Sequence, residues 1–379
     1  MENKNIEIII DELLEKVLDL YPQERVNKIK ERSNDLWNGK PSKDRIVYIY
    51  SGTFPSRDMP ILPENITQNQ KDLAEQLQAI INHSDWDDDF FPALSPGIKQ
   101  ITIPSYFGCI EEVASASTKV KSIINQPSDV YNLTEVGFVQ GTEGYEMLEK
   151  MRYYRQRTKG LLPIYETDMQ GPFSVASQIW GVEEFLIAIY DCPDEVNYLI
   201  QKCTDTIIKY FNLMLEAVEG DLIPMHCFPL MWFPKEKGVA VSEDLAAVVS
   251  PTMIREFVRP YLEQIAEKFG GVVMHSCGSI NHIVKELNQV KGMVGINCSS
   301  TETDIEMMSE DLNPNYVLIT HHSPVNRTDL PLYNQTQHIE LCKKIFGKGR
   351  INGICIVNPW NAIPEPSKDA QTYRDAATY

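Results

Sequence analysis

The stretch GGVVMHSCGSINHIV, residues 270–284, places His275 and Cys277 two residues apart, after an apolar run and directly before Gly278. In an extended strand, residues i and i+2 point to the same face, so the imidazole and the thiol would project together. Both groups are good zinc ligands, and a catalytic zinc usually has three protein ligands and one open position. The pair alone is a weak signal, because a buried thiol beside a hydrogen-bonded histidine gives the same pattern.

A third ligand must come from another segment, and several predicted strand ends offer one. Cys298 ends the run GMVGINC, and Cys355 lies on the last predicted strand. His226–Cys227 and His321–His322 end two further runs. The residues alone leave this choice open. The other cysteines are most simply small buried side chains. They are Cys109, Cys192, Cys203 and Cys342.

Parallel strands are the elements that would bring such residues together. Apolar runs that alternate with helical patterns predict strands in the second half of the chain, near Ile164, Ile223, Val272, Val294, Val317 and Cys355. Two earlier runs, near Val47 and Ile103, bring the count to eight. Eight parallel strands joined by helices predict an α/β fold, the (β/α)8 TIM barrel, in which active sites lie at the carboxyl ends of the strands.

Helical patterns surround these runs. Apolar residues recur at helical spacing between Ile9 and Leu20, which predicts a helical extension over residues 1–44 before a barrel domain over 45–379. A second apolar stripe predicts a long helix over residues 193–220, which begins at a proline and stops at a glycine. The segment 83–100 mixes acidic, aromatic and proline residues, and it predicts a loop near one rim of the barrel, most simply a solvated acidic loop.

One further helix has a predicted break. Ser250 is its expected N-cap, and Pro251 occupies its first position. Pro260 lacks a main-chain N–H and clashes with the preceding turn, so a kink is predicted near Arg259.

Composition excludes several classes of protein. The 53 acidic residues outnumber the 35 basic ones, giving a net charge of -18, whereas a nucleic-acid-binding protein needs a basic surface. No run of about eighteen apolar residues predicts a membrane span. The acidic N-terminal stretch does not resemble a signal peptide, and the eight cysteines contain no Cys-x-x-Cys pair. These features predict a cytoplasmic protein with reduced thiols.

Three segments together resemble one known family. They are DMQGPFSVASQIWGVEEFLIAIYDCPDEVNYLIQKCTD, then SEDLAAVVSPTMIREFVRPYLEQI, then HSCGSI. In this order they resemble the uroporphyrinogen decarboxylase superfamily, most closely its zinc-dependent corrinoid-protein methyltransferase branch. The likeness covers most of the chain from about Arg45 to the C-terminus.

The resemblance implies a metal site and a reaction. Members of that branch bind zinc through the His-x-Cys pair and a cysteine near the end of the last strand, which implies His275, Cys277 and Cys355 here. The third position departs from the family pattern, in which glycines flank the cysteine, because this chain reads GICIV. Cys298 and His226 are therefore kept as alternatives.

The implied activity is methyl transfer between a methyl-corrinoid on a partner protein and a small-molecule acceptor, a thiol or tetrahydrofolate. No Asp-x-His-x-x-Gly corrinoid motif occurs in the chain, so the corrinoid is expected on a separate protein. Asp168, Gln170, Gly171 and His226 are the candidate substrate-binding residues, although a tight loop explains Gly171 equally well. The alternatives are a uroporphyrinogen-type decarboxylase, for which Arg57 and Asp58 do not reproduce the family loop, or a non-catalytic metal-binding barrel.

Overall fold

The computed structural model describes residues 5–40, 42–50, 59–114, 117–225, 231–322, 335–346, 353–357 and 366–379. Its strands are β1 Val47–Tyr50, β2 Glu111–Ala114, β3 Ser117–Val120, β4 Ile164–Tyr165, β5 Leu222–Ile223, β6 Val239–Ser242, β7 Val272–Ser276, β8 Met293–Ser299, β9 Val317–His321 and β10 Gly353–Val357. Its helices are α1 Ile6–Leu20, α2 Gln23–Trp37, α3 Gln68–His83, α4 Glu143–Arg157, α5 Pro172–Trp180, α6 Val182–Asp191, α7 Pro193–Ala217, α8 Pro251–Met253, α9 Arg259–Phe269, α10 Val284–Leu287, α11 Ile305–Asp311, α12 Gln335–Phe346 and α13 Pro366–Ala377.

A parallel sheet forms the centre of the molecule. Six strands pair in the order β1–β10–β9–β8–β7–β6, and β4 pairs with β5 in a second parallel sheet. Strands β6 and β7 are buried along their whole length. Buried strands covered by crossover helices are what continuous apolar runs such as GVVM predict. The structure therefore has the α/β architecture that the sequence predicted.

The strand predictions were correct at seven positions and wrong at one. The predicted runs near Val47 and in the second half of the chain all contain strands. The run near Ile103 does not, because a 3-10 helix begins at Pro104. Leu94 instead forms the parallel bridge to Ile164. Strand β6, which the sequence analysis missed, proves important for the site.

The acidic segment before this bridge is solvated at Asp85 and Asp87 but buried at Asp88 and Asp89, so the predicted solvated loop was wrong in its second half. Asp88 accepts a hydrogen bond from the Tyr50 main-chain N–H at 2.7 Å, and Asp89 accepts one from the Tyr48 N–H at 3.1 Å. Both carboxylates thus satisfy donors at the edge of β1. Phe90 packs in the core beside them. The segment therefore lies alongside β1, at the edge of the six-stranded sheet.

The helix predictions were correct in their main features. The stripe that begins at Pro193 forms α7, a 25-residue helix. Ser250 accepts a hydrogen bond from the Met253 N–H at 3.3 Å, as an N-cap does. A π-helical turn, Ile254–Val258, ends immediately before Arg259, where Pro260 predicted a break. In the described part of the chain, no helix has the length and apolar character needed to cross a membrane.

Candidate metal centre

The end of β7 brings His275 and Cys277 together. His275 is buried, and its Nε2 atom lies 3.1 Å from the Cys277 Sγ atom. Cys277 follows the last residue of the strand and remains accessible to solvent. The two side chains therefore point to one side, as the spacing of two residues predicted.

Asp244 is the third group at this position, and the sequence analysis did not find it. It lies two residues after the end of β6 and begins the 3-10 helix Asp244–Val248. Its Oδ1 atom lies 3.9 Å from His275 Nε2 and accepts a hydrogen bond from the Cys277 main-chain N–H at 2.7 Å. One ligand atom from each of the three residues lies within 4.8 Å of the others. Because β6 pairs with β7, the ends of these strands place a carboxylate beside the imidazole and the thiol.

Asn297 fixes the orientation of the His275 ring. Its register partner across β7 and β8 is His275 itself, and its Oδ1 atom is hydrogen-bonded to His275 Nδ1. The Asn297 amide nitrogen donates to the Ile319 carbonyl at 3.0 Å and lies 3.3 Å from His321 Nδ1, which identifies Oδ1 as the acceptor. His275 Nδ1 therefore carries the proton, and the lone pair of Nε2 faces Cys277 and Asp244.

This donor set fits zinc. An imidazole nitrogen with a free lone pair, a thiol and a carboxylate are the three protein ligand types that zinc uses. Burial, together with the Asp244 and Asp168 carboxylates, raises the pKa of the Cys277 thiol to about 12, so a cation is needed to hold it as a thiolate near neutral pH. The Asp244 side chain is 37% exposed, which leaves the centre open to solvent on one side.

The structure does not bring Cys355 to this group. Four residues form one row across the strands. Cys355 of β10 pairs with Thr320 of β9, Thr320 pairs with Cys298 of β8, and Cys298 pairs with Ser276 of β7. Because side chains alternate along a strand, this row faces away from the row that holds His275. Cys355 lies within 4.8 Å of His338 and Cys342 instead. The alternative ligand His226, like its neighbour Cys227, lies outside the described residues.

Asp168 and Gln170 lie beside the centre. Both are buried, and the Gln170 amide donates to Asp168 Oδ2 at 3.2 Å. Gln170 forms a parallel bridge with Ser242, the last residue of β6, which places this segment next to Asp244. The Asp168 charge reaches Cys277 and contributes to the raised pKa of its thiol. Their predicted contact with substrate stays a prediction.

Glu166 is a second acidic residue that the sequence analysis missed. It has no exposed surface, and neither carboxyl oxygen makes a hydrogen bond of normal geometry within the described structure, although the Ala240 main-chain N–H lies nearby. Burial first, and then the Asp168 charge, raise its pKa well above the usual value. Both causes favour the neutral carboxylic acid of Glu166 over its carboxylate.

Gly171 has a steric reason to be glycine. A Cβ atom at this position would lie 2.3 Å from Oε1 of Glu243. The buried Glu243 carboxylate accepts hydrogen bonds from the N–H groups of Phe173 at 3.1 Å and Ser174 at 2.9 Å, at the start of α5. Burial raises the pKa of Glu243 to about 7, against the lowering effect of these bonds. Gly171 thus lets the carboxylate hold the helix beside Asp244.

Gly171→Ala is expected to reduce the free energy of unfolding by about 1–3 kcal/mol, because the new methyl group overpacks a carboxylate that is held by its hydrogen bonds. Urea denaturation of the variant and the wild type measures the change. A difference below about 0.5 kcal/mol, as is typical of surface substitutions, would contradict the steric explanation.

Asn297→Ala is expected to weaken zinc binding about 10–100-fold, because the His275 ring loses the acceptor that fixes its tautomer. Asn297→Asp keeps that acceptor and is expected to retain most of the affinity. Competition with a chromophoric chelator measures both variants. Equal losses in the two would show that Asn297 acts through folding rather than through the orientation of His275.

A separate cleft of about 1140 Å³ lies between α2 and the segment 84–89, which follows α3. Charged residues line it, and within it Arg32 and Arg45 pair with Asp89 at 3.1 and 3.2 Å. None of the residues assigned to the candidate metal centre takes part. This cleft is therefore lined by ion pairs and is separate from the candidate metal centre.

Comparison with known proteins shows similarity to one family model and to a solved structure. Residues 101–223 match the model of the uroporphyrinogen decarboxylase family. A methyltransferase from Methanosarcina mazei has a similar fold, with a TM-score of 0.64 over 92% of this chain and 98% of that one, at 20% sequence identity. The segment that resembles this family makes up about a third of the chain. The matched segment includes Asp168, Gln170 and Gly171, and it ends before the strands that carry His275 and Asp244.

Two curated relatives of this chain are methyltransferases by name. The chain is 25% identical over 144 residues to the methylcobamide:CoM methyltransferase MtaA of Methanosarcina barkeri. It is 27% identical over 150 residues to a methylated-thiol–coenzyme M methyltransferase of Methanosarcina mazei. These matches cover 37% and 39% of this chain and 37% and 35% of the relatives. The chain thus spans little more than a third of the length of the curated relatives it matches.

Proposed function

We propose that this chain is a zinc-dependent methyltransferase that moves a methyl group between a corrinoid on a partner protein and a thiol or tetrahydrofolate acceptor. The observation that carries the proposal is the convergence of Asp244, His275 and Cys277 at the ends of two neighbouring strands. The names of the curated relatives support the same reaction class. Their matches cover little more than a third of the chain, so the activity itself needs a direct test.

Three side chains would hold the metal. They are Asp244 through a carboxylate oxygen, His275 through Nε2 and Cys277 through its sulfur. When bound, zinc lowers the pKa of an incoming thiol, so that a thiolate is available near neutral pH. Asn297 keeps the His275 lone pair directed at the site. The solvent-accessible side of Asp244 and Cys277 is where an acceptor would enter.

The transfer requires no oxidant or reductant. With a thiol acceptor, the thiol gives up its proton to solvent, a sulfur–carbon bond forms as the cobalt–carbon bond breaks, and the bonding electron pair stays on the corrinoid. With tetrahydrofolate, a nitrogen–carbon bond would form instead. The task of this chain is to hold the acceptor in line with the methyl group, which lowers the barrier through proximity. Asp168 and Gln170 are our candidates for contacts to the substrate, and His226 is kept as a further candidate.

The proposal includes closure of the strands into a (β/α)8 barrel over residues 45–379, preceded by the helical extension of residues 1–44. Main-chain contacts between the two edges of the six-stranded sheet support closure. At the β1 edge, the Asp89 N–H donates to the Tyr48 carbonyl at 2.9 Å. Leu94 then bridges to Ile164, and the segment after β4 bridges to Ser242 at the β6 edge.

Zinc-dependent demethylation of methylcobalamin is the test of this function. Purified protein is incubated with methylcobalamin and a panel of thiols or tetrahydrofolate, and the loss of the methylcobalamin absorbance is followed. We expect turnover that a chelator abolishes and added zinc restores. Absence of demethylation with every acceptor would contradict the proposal. Consumption of uroporphyrinogen under the same conditions would identify a decarboxylase, and activity in neither assay would favour a binding protein.

A further inference from the structure

A second group of metal-ligand residues lies on the opposite side of the sheet. His338 and Cys342 are four residues apart on α12, so they share one face of the helix, and Cys355 of β10 lies opposite them. One ligand atom from each lies within 4.8 Å of the others, and none of the three residues has exposed surface. The sequence analysis treated Cys342 as a small core residue and assigned Cys355 to another site.

The ligand atoms have the spacing and orientation of a zinc site. His338 Nε2 lies 3.8 Å from Cys342 Sγ, close to the roughly 3.6 Å between nitrogen and sulfur on a tetrahedral zinc. His338 Nδ1 lies 3.3 Å from the Ser300 hydroxyl, which itself donates to the His321 carbonyl. Ser300 therefore accepts from Nδ1, and the Nε2 lone pair faces Cys342. A ligand histidine is typically oriented by such a bond.

His322 is an independent indication that a ligand belongs here. It is buried, and within the described structure neither of its ring nitrogens has a hydrogen-bond partner, which is a costly arrangement. Its ring centroid lies 5.7 Å from that of His338. Two imidazoles on one tetrahedral zinc have centroids roughly 5 Å apart. A cation beside His338, with the water bound to it, would give the His322 ring a partner that the described residues do not supply.

We propose that His338, Cys342 and Cys355 bind a second zinc ion beside the ring of His322. We assign a structural role to this site because all three of its ligands are buried within the described part of the chain. The ion joins α12 to β10 and thereby couples metal binding to the folding of this part of the chain. It is separate from the candidate catalytic centre, whose ligands Asp244 and Cys277 are solvent-accessible.

Zinc stoichiometry in matched variants tests the second site. Wild type, Cys342→Ser, Cys277→Ser and the control Cys192→Ser are purified under reducing conditions, and zinc per chain is measured by inductively coupled plasma mass spectrometry. We expect two ions in the wild type and the control, and one in each of the other variants. Retention of the wild-type zinc content by Cys342→Ser would overturn the proposal.

Two further measurements use only the wild-type protein, so that the test still holds if the Cys342→Ser variant folds poorly. Cobalt substitution is expected to produce one site with two thiolate ligands and one with a single thiolate, and spectra of single-thiolate sites alone would overturn the proposal. The main alternative is that Cys342 and Cys355 form a disulfide, and peptide mass spectrometry without reductant tests it. A Cys342–Cys355 disulfide in protein purified under reducing conditions would also overturn it, because oxidised sulfurs do not bind zinc in this way.

Discussion

Cys277→Ser is expected to abolish methyl transfer and to remove the zinc of the candidate catalytic centre, with a loss of zinc affinity of at least about 100-fold. Serine keeps the shape of the side chain but replaces a soft thiolate with a hydroxyl that does not ionise near neutral pH. The remaining pair, Asp244 and His275, is too small a set for a tight zinc site. The measurements are zinc content and the rate of methylcobalamin demethylation at saturating thiol.

The matched control for this variant is Cys192→Ser. Cys192 is partly exposed between α6 and α7 and belongs to neither ligand group, so its replacement is expected to change neither zinc content nor rate. Thermal unfolding of both variants checks that the loss of zinc and of activity in Cys277→Ser does not come from unfolding of the protein. A Cys277→Ser protein that keeps its demethylation rate would contradict the assignment of this thiol.

Asp244→Asn is expected to reduce zinc affinity at the catalytic centre strongly, by at least about 100-fold, whereas Cys355→Ser is expected to leave that centre and its activity intact. The neutral amide oxygen is a much poorer zinc ligand than a carboxylate, but it still accepts the hydrogen bond from the Cys277 N–H. The Asp244 variant thus removes the charge and keeps the local structure. Competitive zinc titration and the demethylation assay measure both variants.

This comparison decides between two choices of third ligand. The family resemblance selected Cys355, and the structure places Asp244 beside the pair instead. Loss of activity in Cys355→Ser, together with normal activity in Asp244→Asn, would return the third position to Cys355. It would also mean that β10 adopts a different register relative to β7, because the observed register turns Cys355 toward α12.

The spacing of residues along the chain was sufficient to predict the elements that depend only on neighbouring residues. The stripe of α7 and the break before Pro260 follow from side-chain spacing and a missing N–H, and both are present. The strand ending in His275 was predicted from its apolar run, and the shared direction of His275 and Cys277 from the period of two. Such features need no knowledge of distant parts of the chain.

Features that depend on long-range pairing were beyond the sequence patterns. Asp244 becomes a candidate ligand only because β6, a strand of four residues, lies against β7. The side on which Cys355 projects depends on the register across β8 and β9, and a shift of one residue would reverse it. Asp89 looked solvated by composition, and it is buried because β1 leaves main-chain donors at its edge. The glycine at position 171 is explained only once Glu243 is placed.

X-ray absorption at the zinc edge of the Cys342→Ser variant, recorded with and without a thiol acceptor, tests the central claim most directly. This variant is expected to retain only the zinc at the strand ends of β6 and β7. The predicted result is one sulfur ligand with nitrogen and oxygen ligands in the absence of thiol, and two sulfur ligands after its addition. An unchanged sulfur count on addition of every active thiol would contradict a centre that binds and activates the acceptor.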